Sequence, residues 1–169
     1  VRERNDYTVF VMGGRVGDKI YIIDCKRLRI MGNVEKLEAI MEMMMEWGIV
    51  HKDQDKYFPT GSTVDIWSGA VAYQASLEAD FKRICLEEQG LYNLLWHPVK
   101  GFRGDKVARF RGIMGLFEQH KILFNKYRKF QALNDEIVNF GVSSHDDCVD
   151  AIVWLCNGLM SRGKLELEY

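Results

Sequence analysis

Two segments rich in β-branched and aromatic residues open the chain, and this pair constrains the fold more than any other feature. Residues 7–14 (YTVFVMGG) and 19–25 (KIYIIDC) have the composition of β-strands. Gly17 and Asp18 between them favour a tight turn. The sequence therefore predicts an antiparallel hairpin at this end of the chain.

Helical and strand patterns alternate after the hairpin. Apolar spacing predicts a helix over residues 34–47, followed by a polar loop over residues 51–62. The remaining predicted elements are a strand at 64–67, a helix at 70–89, a strand at 92–96, a helix at 104–119, a strand at 122–124, a helix at 127–139 and a last helix at 146–160. This order is typical of a mixed α/β or α+β fold.

Length and charge limit the classes of protein. With 169 residues, the chain is long enough for one domain and short for two, so we expect residues 1–169 to form a single domain. The 23 basic and 24 acidic residues give a net charge of −1, which excludes only a uniformly basic nucleic-acid binder. We expect no membrane helix, because no apolar run reaches the required length. The scattered cysteines indicate free thiols in a cytosolic compartment.

The sharpest motif is an acidic cluster at the start of the last predicted helix, residues 143–151 (SSHDDCVDA). Asp150 follows Asp147 by three residues and Asp146 by four, so helical geometry places these carboxylates on one face. Converging carboxylates beside His145 favour a site for Mg²⁺ or Mn²⁺. Acids in a first helical turn also complement the helix dipole without any function, which is the alternative.

Asp65 is a further candidate, because it is the only acid on the predicted strand 64–67. A carboxylate at the end of that strand, facing the last helix, would complete a metal site. A solvent-facing strand residue is the equally open alternative. Asp6 and Asp24 are weaker candidates, expected to be surface acids of a loop and a strand end.

Basic residues dominate the segment from His97 to Lys129. Its only acids are Asp105 and Glu118, against nine cations: Lys100, Arg103, Lys106, Arg109, Arg111, Lys121, Lys126, Arg128 and Lys129. Residues 101–109 are predicted to form a glycine-flanked turn that opens a helix, and phosphate favours both the cations and the free N–H groups of such a start. A solvated charged face is the plainer alternative. Together with the acids, the segment suggests a phosphodiester held by cations and cut by metal-activated water.

The order of these motifs resembles the C-terminal nuclease domain of phage large terminases, over nearly the whole chain. The resemblance is carried by Asp6-Tyr7-Thr8, by Ala72-Tyr73-Gln74 with Leu77, by Gly104-Asp105-Lys106 with Arg109, and by His145-Asp146-Asp147 with Asp150-Ala151. It implies an RNase H-like fold, a mixed sheet of about five strands flanked by helices. It also implies cleavage of concatemeric double-stranded viral DNA with two divalent ions, Mg²⁺ or Mn²⁺.

The resemblance also implies roles for particular residues. Asp147 matches the family's last metal-binding acid, with Asp146 beside it, and Asp150 or Asp65 would be further catalytic acids. The expected DNA-binding cations are Lys106, Arg109, Arg103 and Lys100. The implied partners are double-stranded DNA, the portal protein, the small terminase subunit and the protein's own N-terminal ATPase domain, and the implied location is the host cytoplasm, transiently at the viral prohead.

Two departures keep other functions open. Gly69 stands where the family has its second acid, and the family's first catalytic Asp would precede residue 1. A catalytically incomplete domain that binds DNA or a portal protein is therefore the main alternative. Another nuclease of the same fold, such as a junction resolvase, is a third.

Overall fold

Seven strands and five helices form the described part of the chain. The structure is a computed structural model that describes residues 7–30, 32–69, 74–99, 106–142 and 146–165. Its elements are β1 (Thr8–Val16), β2 (Lys19–Leu28), α1 (Asn33–Glu46), β3 (Val50–Asp53), β4 (Lys56–Pro59), β5 (Val64–Gly69), α2 (Gln74–Phe81), which continues as a π-helical segment (Lys82–Glu88), β6 (Leu94–Val99), α3 (Lys106–Glu118), β7 (Ile122–Phe124), α4 (Gln131–Val138) and α5 (Asp147–Leu165).

The chain divides into two compact units. Unit 1 holds the described residues of Val1–Arg29 and Phe102–Tyr169, and unit 2 holds those of Ile30–Gly101. Unit 1 therefore contains β1, β2, β7, α3, α4 and α5, and it carries the acidic motif together with the basic segment from Phe102 onward.

The predicted hairpin is confirmed in unit 1. β1 and β2 pair antiparallel, and Gly17 in the turn has a φ of 62°, a conformation that glycine adopts without strain. β7 adds to β2 in parallel, with Ile20 opposite Ile122. The result is a three-stranded mixed sheet in the order β1-β2-β7.

Helix α5 packs on β1 of this sheet through an apolar stripe. Val149, Ile152, Val153 and Cys156 are all buried, as their helical spacing requires. A Cβ atom at Gly13 of β1 would lie 2.8 Å from Leu155 Cδ2 of α5 and 2.6 Å from the Tyr21 carbonyl oxygen. The absent side chain at this position therefore lets the helix approach the strand closely.

Unit 2 contains a hairpin where the sequence predicted a polar loop. β3 and β4 pair antiparallel from Val50 opposite Pro59 to Asp53 opposite Lys56. Their turn includes Gln54 at a φ of 53°, a left-handed conformation without the glycine that normally signals such a turn. The prediction of a loop was wrong because β3 is mostly polar and both strands are only four residues long, too short for a clear strand pattern.

The parallel pair β5–β6 of unit 2 is longer than predicted. It runs from Val64 opposite Leu94 to Gly69 opposite Val99, so β6 includes His97 and Pro98. The predicted end before His97 was wrong, because among the described strands β6 pairs only with β5 and a proline is tolerated on an edge strand.

The α/β class is confirmed, and the described strands pair into one three-stranded and two two-stranded sheets. The single five-stranded sheet that the resemblance implies is not seen among these described strands. Two helices differ from their predicted bounds. α4 begins at Gln131 rather than at residue 127, because a turn precedes it in which the Tyr127 N–H donates to Asn125 Oδ1. α5 extends beyond residue 160 to Leu165. In the described ranges, no helix has the length and apolarity needed to cross a bilayer.

Candidate active site

Helix α5 begins at the acidic motif, as predicted. Asp147 is its first residue, and the Asp150 N–H donates to the Asp146 carbonyl oxygen at 2.9 Å. All three acids are partly buried. Negative charge is favourable at this end of a helix, because the first N–H groups lack partners within the helix and carry the positive end of the dipole.

The basic motif meets the acidic motif inside unit 1. Arg109 of α3 places Nη2 at 3.9 Å from Asp150 Oδ1, with side chains that are 20% and 30% exposed. The Nε atom of Arg109 is buried and has no hydrogen-bond partner among the described residues. Arg109 thus supplies positive charge to the acids of α5 from a half-buried position.

Glu136 of α4 is a site residue that the sequence did not predict. Its side chain is 3% exposed, and its Oε2 accepts from the N–H groups of Cys148 at 2.7 Å and Val149 at 3.1 Å. Its Oε1 forms an ion pair with Arg27 of β2, whose Nη1 lies 3.7 Å away. A glutamate three residues after the buried Leu133, on the apolar stripe of α4, is the one local signal that could have found it.

Two cysteines lie next to this cap. The thiols of Cys25 on β2 and Cys148 on α5 are hydrogen-bonded to each other. Because the Cys148 S–H donates to the Cys25 sulfur, this bond favours the thiolate form of Cys25, so it lowers the pKa of Cys25 and raises the pKa of Cys148. Burial raises the pKa of Cys85 and of Cys156 to about 12.

Asp24 is buried rather than at the surface, so its prediction as a strand-end surface acid was wrong. Its side chain is only 5% exposed, and Oδ1 accepts from the Cys25 N–H at 2.9 Å. The reason is that β2 continues to Leu28, which places Asp24 inside the strand.

Asp65 and His97 form a close pair in unit 2. Asp65 Oδ1 lies 2.7 Å from His97 Nε2, and the side chains are 9% and 45% exposed. The ring of His97 stacks on Trp67, with centroids 5.7 Å apart. The alternative of a solvent-facing Asp65 is therefore wrong, whereas its role as a metal ligand stays a prediction. Gly69 ends the same strand.

The donor chemistry of these residues suits a hard divalent cation, but the described donors are few. Carboxylate oxygens are the ligands that Mg²⁺ and Mn²⁺ prefer. In the described ranges, no three His, Cys, Asp or Glu side chains lie close enough together to hold a metal ion. His145, Lys100, Arg103 and Asp6 lie outside the described residues, and Lys106 is the first residue of α3.

Comparison with known families identifies the chain. A family model described as the terminase RNaseH-like domain matches residues 2–159. This match covers most of the 169 residues, and the chain belongs to that family. No curated protein matches the chain.

Proposed function

We propose that this terminase RNaseH-like domain is a divalent-cation-dependent endonuclease that cuts concatemeric double-stranded DNA during viral DNA packaging. The observation that carries the proposal is the meeting of the acids of α5 with Arg109 of α3, at 3.9 Å between Asp150 Oδ1 and Nη2. These groups are about 40 residues apart in the sequence, and they combine the two kinds of charge that phosphodiester cleavage requires.

Asp147 and Asp146 are the ligands we assign to Mg²⁺ or Mn²⁺. Both lie at the positive end of α5, where ionised carboxylates are favoured. Asp150 is paired with Arg109, so we assign it to support of the other acids rather than to a cation. From the sequence alone, we assign Asp65 as a further catalytic acid and ligand.

The proposed mechanism uses two such cations. When bound, they would activate a water molecule and stabilise the leaving oxygen of an in-line displacement. The chain's own residues contribute positive charge toward the DNA. We assign Lys106 and Arg109 on α3, and Lys100 and Arg103 before it, to the phosphates of the duplex. Arg109 would then divide its charge between Asp150 and a phosphate.

Plasmid cleavage in Mg²⁺ or Mn²⁺ tests the proposal, with Asp147→Asn as the active-site variant. Asp18→Asn is the matched control: it removes the same charge from the β1–β2 turn, where the Asp18 side chain is 71% exposed. We expect cleavage to need the cation, to fall about 10- to 100-fold in Asp147→Asn and to be unchanged in Asp18→Asn. Undiminished cleavage by Asp147→Asn would refute the assignment.

A DNA- or portal-binding module without catalysis is the second candidate. Gly69 favours it, as does the fact that two candidate acids are already paired: Asp65 with the imidazole of His97 and Asp150 with the guanidinium of Arg109. This function predicts DNA affinity that falls steeply with salt and no cleavage in either cation. Retained binding by Asp147→Asn and by the parent protein, with no product in either, would select it.

The partners are part of the proposal, and they rest on the resemblance of the sequence motifs alone. We assign the portal protein, the small terminase subunit and an ATPase domain of the same polypeptide as protein partners, acting in the host cytoplasm at the viral prohead. Co-purification of the full protein with a portal protein, in the presence and absence of DNA, tests the first of these contacts.

A further inference from the structure

We infer that Glu136 is a positioning residue, which fixes the first turn of α5 so that Asp146 and Asp147 are held in place for a divalent cation. The inference rests on the proposed function for the cation and on the structure for the contacts. It assigns a role to α4, a helix to which none of the sequence motifs pointed.

The contacts of Glu136 converge on one end of α5. Oε2 accepts from the N–H groups of Cys148 and Val149, at 2.7 and 3.1 Å, and these residues directly follow Asp147. The start of a helix is usually capped by the side chain of the residue that directly precedes the helix in the sequence. Here the cap comes from a different helix, so the bond ties α5 to α4 as well as satisfying two N–H groups.

The second oxygen of Glu136 points to a charged environment. Oε1 is buried, and it has no hydrogen-bond partner among the described residues. Arg27 Nη1 lies 3.7 Å away, which is an ion pair beyond hydrogen-bond length. The guanidinium of Arg27 in turn lies 4.3 Å from the centre of the Tyr7 ring. Hence β2 holds Arg27 against the carboxylate that caps α5.

Burying the charged Glu136 side chain costs free energy, and we attribute its presence to the need to hold the first turn of α5 in a fixed position. A carboxylate buried to 3% exposure loses its hydration, and Asp147 and Asp150 are like charges on the helix that it caps. A neutral side chain would satisfy the same N–H groups without that repulsion. A charge-assisted bond is shorter and more directional, and it fixes the backbone on which the acids stand.

Three variants separate the cap from its charge. Glu136→Gln keeps an acceptor oxygen and removes the charge, whereas Glu136→Ala removes both. Asp135→Asn is the matched control, since Asp135 is the exposed neighbour on α4 and the substitution removes the same charge. Two measurements are made on each protein: amide hydrogen exchange at Cys148 and Val149 by nuclear magnetic resonance, and the Mn²⁺ concentration for half-maximal DNA cleavage.

We expect exchange at both amides to accelerate about tenfold or more in Glu136→Ala and less in Glu136→Gln. We expect the Mn²⁺ midpoint to rise about 10- to 100-fold in Glu136→Ala, less in Glu136→Gln, and to stay constant in Asp135→Asn. A purely structural cap would change the exchange and leave the midpoint constant.

Two results overturn the inference. If exchange at Cys148 and Val149 is unchanged in Glu136→Ala, then Glu136 does not cap α5. If exchange is faster but the Mn²⁺ midpoint is constant, then Glu136 caps the helix but does not position the acids for a cation. A parent protein that never cuts DNA refutes the proposed function, and with it the link to the cation, while the exchange data still report whether the cap exists.

Discussion

Asp150 and Arg109 form the contact that joins the two charged motifs of the sequence. Both side chains are partly shielded from solvent, at 30% and 20% exposure. An ion pair of this kind contributes little to stability, because water and salt still screen it. Its larger effect is to place a cation beside the acids at the start of α5, where like charges would otherwise repel each other.

A double-mutant cycle measures this pair. We expect Asp150→Asn to lower the free energy of unfolding by about 0.2 to 1 kcal/mol, and Arg109→Gln to lower it somewhat more because its half-buried stem also packs. Urea denaturation of both single variants and the double variant gives the coupling energy, expected to be about 0.5 kcal/mol. A coupling of zero would mean that the pair is incidental. Lys121→Gln, whose partner Asp18 is exposed, is the control.

Thiol labelling tests the hydrogen bond between Cys25 and Cys148. That bond lowers the pKa of Cys25 from its ordinary 9.0, so a larger share of Cys25 is thiolate at pH 8. Burial raises the pKa of Cys85 and Cys156 to about 12, which keeps both protonated and unreactive. We expect iodoacetamide to label Cys25 first, with a pH midpoint below 9.0.

The matched variant is Cys148→Ala, which removes the donor. The pKa of Cys25 should then rise, and its labelling at pH 8 should slow, as followed by mass spectrometry of the digested protein. Equal labelling rates of Cys25 with and without Cys148 would contradict the role of the hydrogen bond.

Individual site residues differ in how far the sequence could predict them. Asp146, Asp147 and Asp150 could be placed together because helical spacing is a local property. Glu136 and His97 could not be predicted, because the role of each depends on a hydrogen bond to a partner at least 12 residues away in the chain. No local pattern encodes such a contact.

Among the elements, the packing of α5 on β1 depends on Gly13. A Cβ atom there would overlap the Tyr21 carbonyl oxygen at 2.6 Å and Leu155 Cδ2 at 2.8 Å, whereas one at Gly14 would meet nothing within 4 Å. The neighbouring glycines therefore form a natural pair of test and control.

We expect Gly13→Ala to lower the free energy of unfolding by about 1 to 3 kcal/mol, because the backbone oxygen of β2 cannot move aside cheaply. Gly14→Ala should be neutral or stabilising by up to about 1 kcal/mol, since it reduces the freedom of the unfolded chain. Urea denaturation monitored by fluorescence compares the two. Equal effects at both positions would show that α5 does not pack on β1 as described.

Elements with a strong hydrophobic pattern were predictable, and those without it were not. β1, β2 and α1 have clear periodicity, and their positions are confirmed to within a few residues. β3 carries mostly polar exposed residues, β4 is only four residues long, and their turn uses Gln54 rather than glycine, so backbone pairing alone reveals them. β6 continues through Pro98 for a similar reason: its pairing with β5 maintains the strand although proline usually ends one, because proline is tolerated on an edge strand.

At the scale of the whole molecule, the net charge of −1 is a sum of opposite regions rather than an absence of charge. The segment from His97 to Lys129 holds nine cations and two acids, and the start of α5 holds three acids. A protein that holds both phosphate and a metal cation requires both kinds of region, which cancel in the total.

Salt dependence of DNA binding tests the basic segment. We expect the logarithm of affinity to fall linearly with the logarithm of salt concentration, and Lys106→Gln to reduce that slope by about 0.9. Lys19→Gln, an exposed cation of β2 outside the segment, is the control and should leave the slope unchanged. Fluorescence anisotropy with a labelled duplex provides the data, and an unaltered slope for Lys106→Gln would remove it from the interface.

Calorimetric titration of Mn²⁺ into the full chain and into Asp147→Asn tests the proposed cation site. We claim that the acids at the start of α5 hold a divalent cation. We predict binding by the parent protein and an affinity about 10- to 100-fold lower in Asp147→Asn, with Asp18→Asn equal to the parent. Equal affinities for Mn²⁺ in the parent protein and Asp147→Asn, or no binding by either, would contradict the claim.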